Sequence, residues 1–118
     1  MLNDPKSIAP DALIMEARAL MESEGCLQLP VLQHGRLVGI ITNRDLCISI
    51  HYPPERGKTV NECMTADPIT VTPETPVFRT AQMLSTYKFG ALPVVNGEKL
   101  VGMITTSHLL SYFANSWD

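Results

Sequence analysis

The chemistry in this chain concentrates in one short stretch, Gly39-Ile40-Ile41-Thr42-Asn43-Arg44-Asp45, which sets a hydroxyl, a guanidinium and a carboxylate side by side. An ionised carboxylate can accept hydrogen bonds from both hydroxyls of a sugar diol, and charged acceptors make the stronger bonds. If a helix opens after Thr42, its hydroxyl and the first backbone N–H groups suit a phosphate. Arg44 adds a donor fork fitted to the same group. Thr42-x-x-Asp45 is also a capping box in form, so a purely structural reading stands beside the binding one. The stretch returns as Gly102-Met103-Ile104-Thr105-Thr106-Ser107-His108, with His108 where the acid belongs. A neutral imidazole offers one acceptor and an imidazolium none, which weakens any diol recognition by the second copy.

That recurrence belongs to a larger one. Displacing the sequence by 63 residues, as from Gly39 to Gly102, lays it on itself without a gap. LPVLQHGRLVGIIT (29 to 42) meets LPVVNGEKLVGMIT (92 to 105), and the DP of Asp4-Pro5 meets that of Asp67-Pro68. Each copy reads as an extended piece (7 to 9, 70 to 72), a helix opening at Pro10-Asp11 or Pro73-Glu74, two apolar strands joined by a tight turn, and a second helix after Thr42 or Thr105. Leu13, Ile14, Ala17, Leu20 and Met21 recur at helical spacing, as do Val77, Ala81, Leu84 and Tyr87, so each first helix buries one face. The proline-rich 53–63 reads as a linker with a helical turn near Thr59 to Cys63. The organisation is therefore repeat 1 at 1–52, a linker at 53–63, repeat 2 at 64–113 and a tail at 114–118. Neither unit has interior enough to stand alone, and the two are expected to pack sheet to sheet about a pseudo-twofold axis.

Composition bounds the partners. With 9 Lys and Arg against 12 Asp and Glu, a net charge of -3 and no basic run, nucleic acid is a poor partner. No apolar run reaches the length of a membrane span and no leader pattern opens the chain, which makes the cytoplasm the default location. Cys26, Cys47 and Cys63 lie far apart and form no CxxC, and His34, His51 and His108 lack metal-ligand spacing, so neither a disulfide nor a metal site is expected. The six methionines read as gap fillers in an aliphatic core. Acyl-transfer, metalloprotease, P-loop and dinucleotide motifs are all missing, and no catalytic residue is assigned.

DP-x-S/T-h-x-P, an amphipathic helix, LPVh and LVGhIT, twice in tandem, resemble a pair of CBS domains, together called a Bateman module, from Met1 to about Phe113. The resemblance implies an α/β (α+β) fold of tandem βαββα repeats that commonly dimerises. It also implies a non-enzymatic sensor without a resident cofactor, binding AMP, ADP, ATP or S-adenosylmethionine in clefts between the repeats. Carried onto this sequence, it implies a ligand site of Thr42, Asn43, Arg44 and Asp45 with adenine walls from Ile69, Thr70, Phe89, Gly90, Ala91 and Pro93. A second, weaker cleft would use Thr105, Ser107 and His108 with Ser7, Ile8, Cys26, Leu27 and Gln28, walls bulkier than Gly90 and Ala91. One competent site per chain is expected. Two function classes follow: a regulatory module sensing an adenosine-containing molecule, working as a homodimer or on an effector protein in trans, or a dimerisation and interaction module with no small ligand. The reader of any signal lies outside the two repeats, in a partner or in a longer protein.

Overall fold

A computed structural model describes residues 2–3, 5–49, 58–87 and 90–116. Their elements run β1 (Leu2–Asn3), α1 (Ile14–Glu24), β2 (Gln28–Gln33), β3 (Arg36–Thr42), α2 (Asn43–Ser49), α3 (Val60–Cys63), β4 (Thr65–Ala66), α4 (Val77–Tyr87), β5 (Ala91–Asn96), β6 (Lys99–Thr105) and α5 (Thr106–Ser116). They form two compact units, Pro5–Pro68 and Met1–Asp4 with Ile69–Asp118. Helices and antiparallel strands mix in each, as the repeat pattern requires.

In the first unit β2 and β3 form the hairpin that the sequence signals. His34 and Gly35 make its turn with φ of 52° and 80°, the paired positive values that match the twist of two-residue hairpins. Ile8 adds a parallel bridge to Val31, donating its N–H to Pro30 O at 3.1 Å and accepting from Leu32 N–H at 3.0 Å. The core gathers Ala17, Met21, Leu29, Val31, Ile41, Leu46 and Val60, so the apolar face of α1 meets the hairpin and the starts of α2 and α3. The second unit repeats this layout. β5 and β6 pair with the same offset between Val94 and Val95 that the first hairpin shows between Val31 and Leu32. Val71 bridges Val94, and Val71, Leu84, Leu92, Val94 and Leu109 fill the core.

Three features differ from the sequence reading. First, α1 and α4 begin at Ile14 and Val77, several residues after Pro10 and Pro73. The proline segments form turns instead, closed by Ala12 N–H to Ala9 O at 3.2 Å and Thr75 N–H to Thr72 O at 3.0 Å. In the first unit the carbonyls of Pro10 and Ala12 accept N–H groups from Asn61 and Val60 of α3, so they face outward rather than up a helix. Leu13 consequently sits at the N-cap, 39% exposed and outside the helical stripe; its side chain offers no cap acceptor, while its N–H donates to Glu16 Oε2 at 3.2 Å and its carbonyl accepts Glu16 and Ala17 N–H at 2.9 and 3.2 Å. Tyr87 closes α4, but its side chain lies outside the described residues.

Second, sequence repeat and compact unit do not coincide. β4, which opens the second repeat, pairs with β3 of the first unit through Gly39↔Ala66 and Ile40↔Thr65. β1, which opens the first repeat, pairs with β6 in the second unit through Asn3↔Gly102 and Leu2↔Met103. The registers are equivalent under the repeat, so the exchange is reciprocal.

Third, one methionine is no gap filler. Met15 is 72% exposed, and its repeat equivalent Phe78 is 73% exposed.

α1 ends at Gly25, whose φ of 64° is left-handed, while Met21 O accepts the Cys26 N–H at 3.1 Å. Nothing lies within 4 Å of a Cβ built there, so backbone strain alone opposes a side chain. Gly25→Ala should therefore lower stability by about 1 kcal/mol in chemical denaturation with an unchanged slope.

Candidate functional site

The Thr42–Asp45 turn is built where β3 hands over to α2. Its entry is fixed from outside the turn, because Asn43 N–H, the first of the helix, donates to Leu27 O at 2.8 Å. Asp45 Oδ2 accepts Thr42 N–H at 2.9 Å and the Thr42 hydroxyl at 3.1 Å, while Thr42 Oγ1 accepts Asp45 N–H at 3.3 Å. The box form read from the sequence is thus present in three dimensions. Thr42 and Asp45 are half-buried, and Asn43 and Arg44 are exposed.

Behind the turn, Gly39 meets the incoming β4. A Cβ at Gly39 would stand 2.5 Å from Met64 Sδ and 2.8 Å from Thr65 O. The glycine that opens the stretch therefore serves strand packing.

The second unit builds the same turn with other atoms. Thr106 N–H donates to Gly90 O at 3.1 Å, the repeat equivalent of the Asn43 bond. His108 Nδ1 accepts Thr105 N–H at 3.0 Å, and Thr105 Oγ1 accepts His108 N–H at 3.2 Å. His108 thus occupies the capping place of Asp45, with its ring proton on Nε2. Ser107 is exposed on the first turn of α5.

Among the residues expected as adenine walls, Ile69 is 37% exposed, Thr70 is half-buried and Gly90 is exposed. Ala91 and Pro93 are buried in β5, the Pro93 ring completely, and Phe89 lies outside the described residues. Of the walls expected for the second cleft, Ser7, Ile8, Cys26 and Gln28 are half-buried and Leu27 is 61% exposed. In the first unit, Cys26 and Leu27 line a cavity of about 440 Å³ together with Asn43, Arg18, Met21 and Leu46. Arg18 and Met21 carry no sequence signal for this, since their spacing on α1 reads only as one solvated and one apolar helix face.

Burial pushes the Cys26 thiol above the ordinary thiol range; Glu24 adds to the rise, and a backbone hydrogen bond at Gln28 opposes it. The sign is that of an acid held neutral by folding. Its stabilising share is complete below the unfolded thiol pKa and is lost as pH climbs through the folded one. Iodoacetamide labelling of Cys26, followed by mass spectrometry, should stay slow at neutral pH and accelerate only at alkaline values beyond those of a free cysteine. Among the described residues no group of three or more His, Cys, Asp or Glu could hold a metal, and no helix is long and apolar enough to cross a membrane.

A family model, described as CBS domain, matches residues 1–52 and again 60–115. The chain belongs to the CBS domain family. Among relatives of this CBS pair, the CBS domain-containing protein YhcV of Bacillus subtilis is 26% identical over 110 residues, covering 92% of this chain and 79% of the relative. Inosine-5'-monophosphate dehydrogenase of Korarchaeum cryptofilum is 35% identical over 106 residues, 89% of this chain but only 21% of the enzyme. The CBS pair therefore spans about a fifth of the length of that enzyme. Solved CBS structures superpose closely. CBSX2 in complex with AMP gives a TM-score of 0.87 at 26% identity, covering 100% of this chain and 95% of that one. The CBS domain pair of protein MJ0100 in complex with methylthioadenosine and S-adenosyl-L-methionine gives 0.84 at 29% identity, covering 98% and 94%.

Proposed function

We propose that this CBS pair is a regulatory module that takes an adenosine-containing ligand of the AMP, ADP or ATP class at the Thr42–Asp45 turn, with S-adenosylmethionine as a further candidate. One observation carries the reading: Thr42 holds Asp45 Oδ2 by two hydrogen bonds at 2.9 and 3.1 Å, so the carboxylate is oriented before any ligand arrives. An ionised carboxylate of this kind is the acceptor that a ribose diol needs. Arg44, exposed beside it, supplies the donor fork for a phosphate. The AMP, methylthioadenosine and S-adenosyl-L-methionine complexes of the two similar CBS structures support an adenosine-containing ligand. The ligand would act by preferring one of two states of the module, the shift being read by a second copy or by an effector protein.

A second reading, association without any small ligand, draws on the exposed Met15 and Phe78 at repeat-equivalent positions. Thermal denaturation against AMP, ADP, ATP and S-adenosylmethionine separates the two. The sensor should gain roughly 2.7 kcal/mol at a hundredfold excess of ligand over its dissociation constant. No shift with all four would leave association as the surviving function.

A further inference from the structure

We infer that Asn96 is a modification site, where the side-chain amide is lost spontaneously as ammonia and the residue becomes aspartate or isoaspartate. Asn-Gly is a favoured centre for a two-residue hairpin loop, with both residues at positive φ. Here the register places the pair differently. Asn96 is the last residue of β5 and pairs with Lys99, so the loop is Gly97-Glu98, and Gly97 supplies the positive φ, 67°. The turn therefore makes no demand on Asn96. Its side chain is exposed, and among the described residues none holds its amide by a hydrogen bond. Gly97 N–H lies in the loop, outside the β5–β6 pairing, and a Cβ built on Gly97 meets nothing within 4 Å, so a succinimide ring has room to form there.

The step needs only water as co-reactant. The Gly97 nitrogen gives up its proton and bonds to Asn96 Cγ, the Cγ–Nδ2 bond breaks, and Nδ2 leaves with that proton as ammonia. Water then opens the succinimide. Attack at Cγ restores the main chain and leaves aspartate, while attack at the backbone carbonyl carbon leaves isoaspartate, with the chain routed through Cβ and Cγ. Either product adds a negative charge beside Glu98, and isoaspartate also inserts a methylene into the last pair of the hairpin. Extended backbone at Asn96 holds Cγ away from Gly97 N, so the reaction waits on opening of that last pair, and a hairpin end is where opening costs least. The repeat supplies an internal contrast. Gln33 holds the equivalent place and pairs with Arg36, but its longer side chain would have to close a larger ring, and His34 sets a Cβ beside the attacking nitrogen.

Incubation of the full chain at mildly alkaline pH, followed by tryptic mapping of the peptide that ends at Lys99, tests this. That peptide should divide into aspartate and isoaspartate forms, each with NH2 exchanged for OH, before any other asparagine changes, and each conversion should release one ammonia. Asn96→Gln copies Gln33 at the same pair, so it should keep the wild-type melting temperature and lose that early ammonia release. Undiminished early release from Asn96→Gln, or earlier conversion at another asparagine, would overturn the inference. So would an Asn96 that stays intact in the folded chain while the urea-unfolded chain converts, since strand pairing would then protect it.

Discussion

Gly39→Ala is expected to destabilise the protein by about 1–3 kcal/mol, the usual range for a side chain forced into packed space. The new methyl would lie 2.5 Å from Met64 Sδ and 2.8 Å from Thr65 O. The two obstacles differ in kind. Met64 ends in a flexible thioether that can swing aside at small cost. Thr65 O is backbone, held in β4 by the Gly39↔Ala66 and Ile40↔Thr65 pairs and by Asp67 N–H on Val38 O at 3.2 Å. Relief therefore requires β4 to lift off β3. Urea unfolding of wild type and Gly39→Ala reads the effect as a lower midpoint, and a variant within about 0.5 kcal/mol of wild type would mean that β4 is not held there.

The second large effect concerns the ligand. Asp45→Asn should weaken AMP binding about 10- to 150-fold, the equivalent of a charged hydrogen bond worth about 1.5–3 kcal/mol. Asparagine is the informative replacement, because its amide oxygen can still accept the Thr42 N–H that Asp45 Oδ2 takes at 2.9 Å. Its melting temperature without ligand should stay near that of the wild type. Asp45→Ala removes cap and carboxylate together, and about 0.5–2 kcal/mol of stability with them. A binding loss seen with alanine and not with asparagine would assign Asp45 to helix capping alone.

Much of this was written in the sequence because the elements concerned are local and doubled. The hairpins announce themselves by apolar runs around His34-Gly35 and Gly97, and the boxes by residues three apart at a helix start. The short α3 was legible as a helical turn ahead of Met64. What stayed hidden depends on distant partners. β1 and β4 have two residues each, too few for any alternation, and only pairing with β6 and β3 makes them strands. The late start of α1 follows from hydrogen bonds that α3 donates to Pro10 and Ala12, which the Pro10-Asp11 signal could not contain. Gly39 looked like part of a ligand pattern, yet the close approach of β4 explains it. His108 was legible as a missing acid, but its role in the cap needed the position of Nδ1 against Thr105 N–H.

A crystal structure of the chain with AMP tests the central claim most directly. The account predicts ribose O2′ and O3′ about 2.5–3.0 Å from the Asp45 carboxylate, with no nucleoside at the Thr105–His108 turn. AMP seated against His108, or bound with its ribose hydroxyls turned away from Asp45, would contradict it.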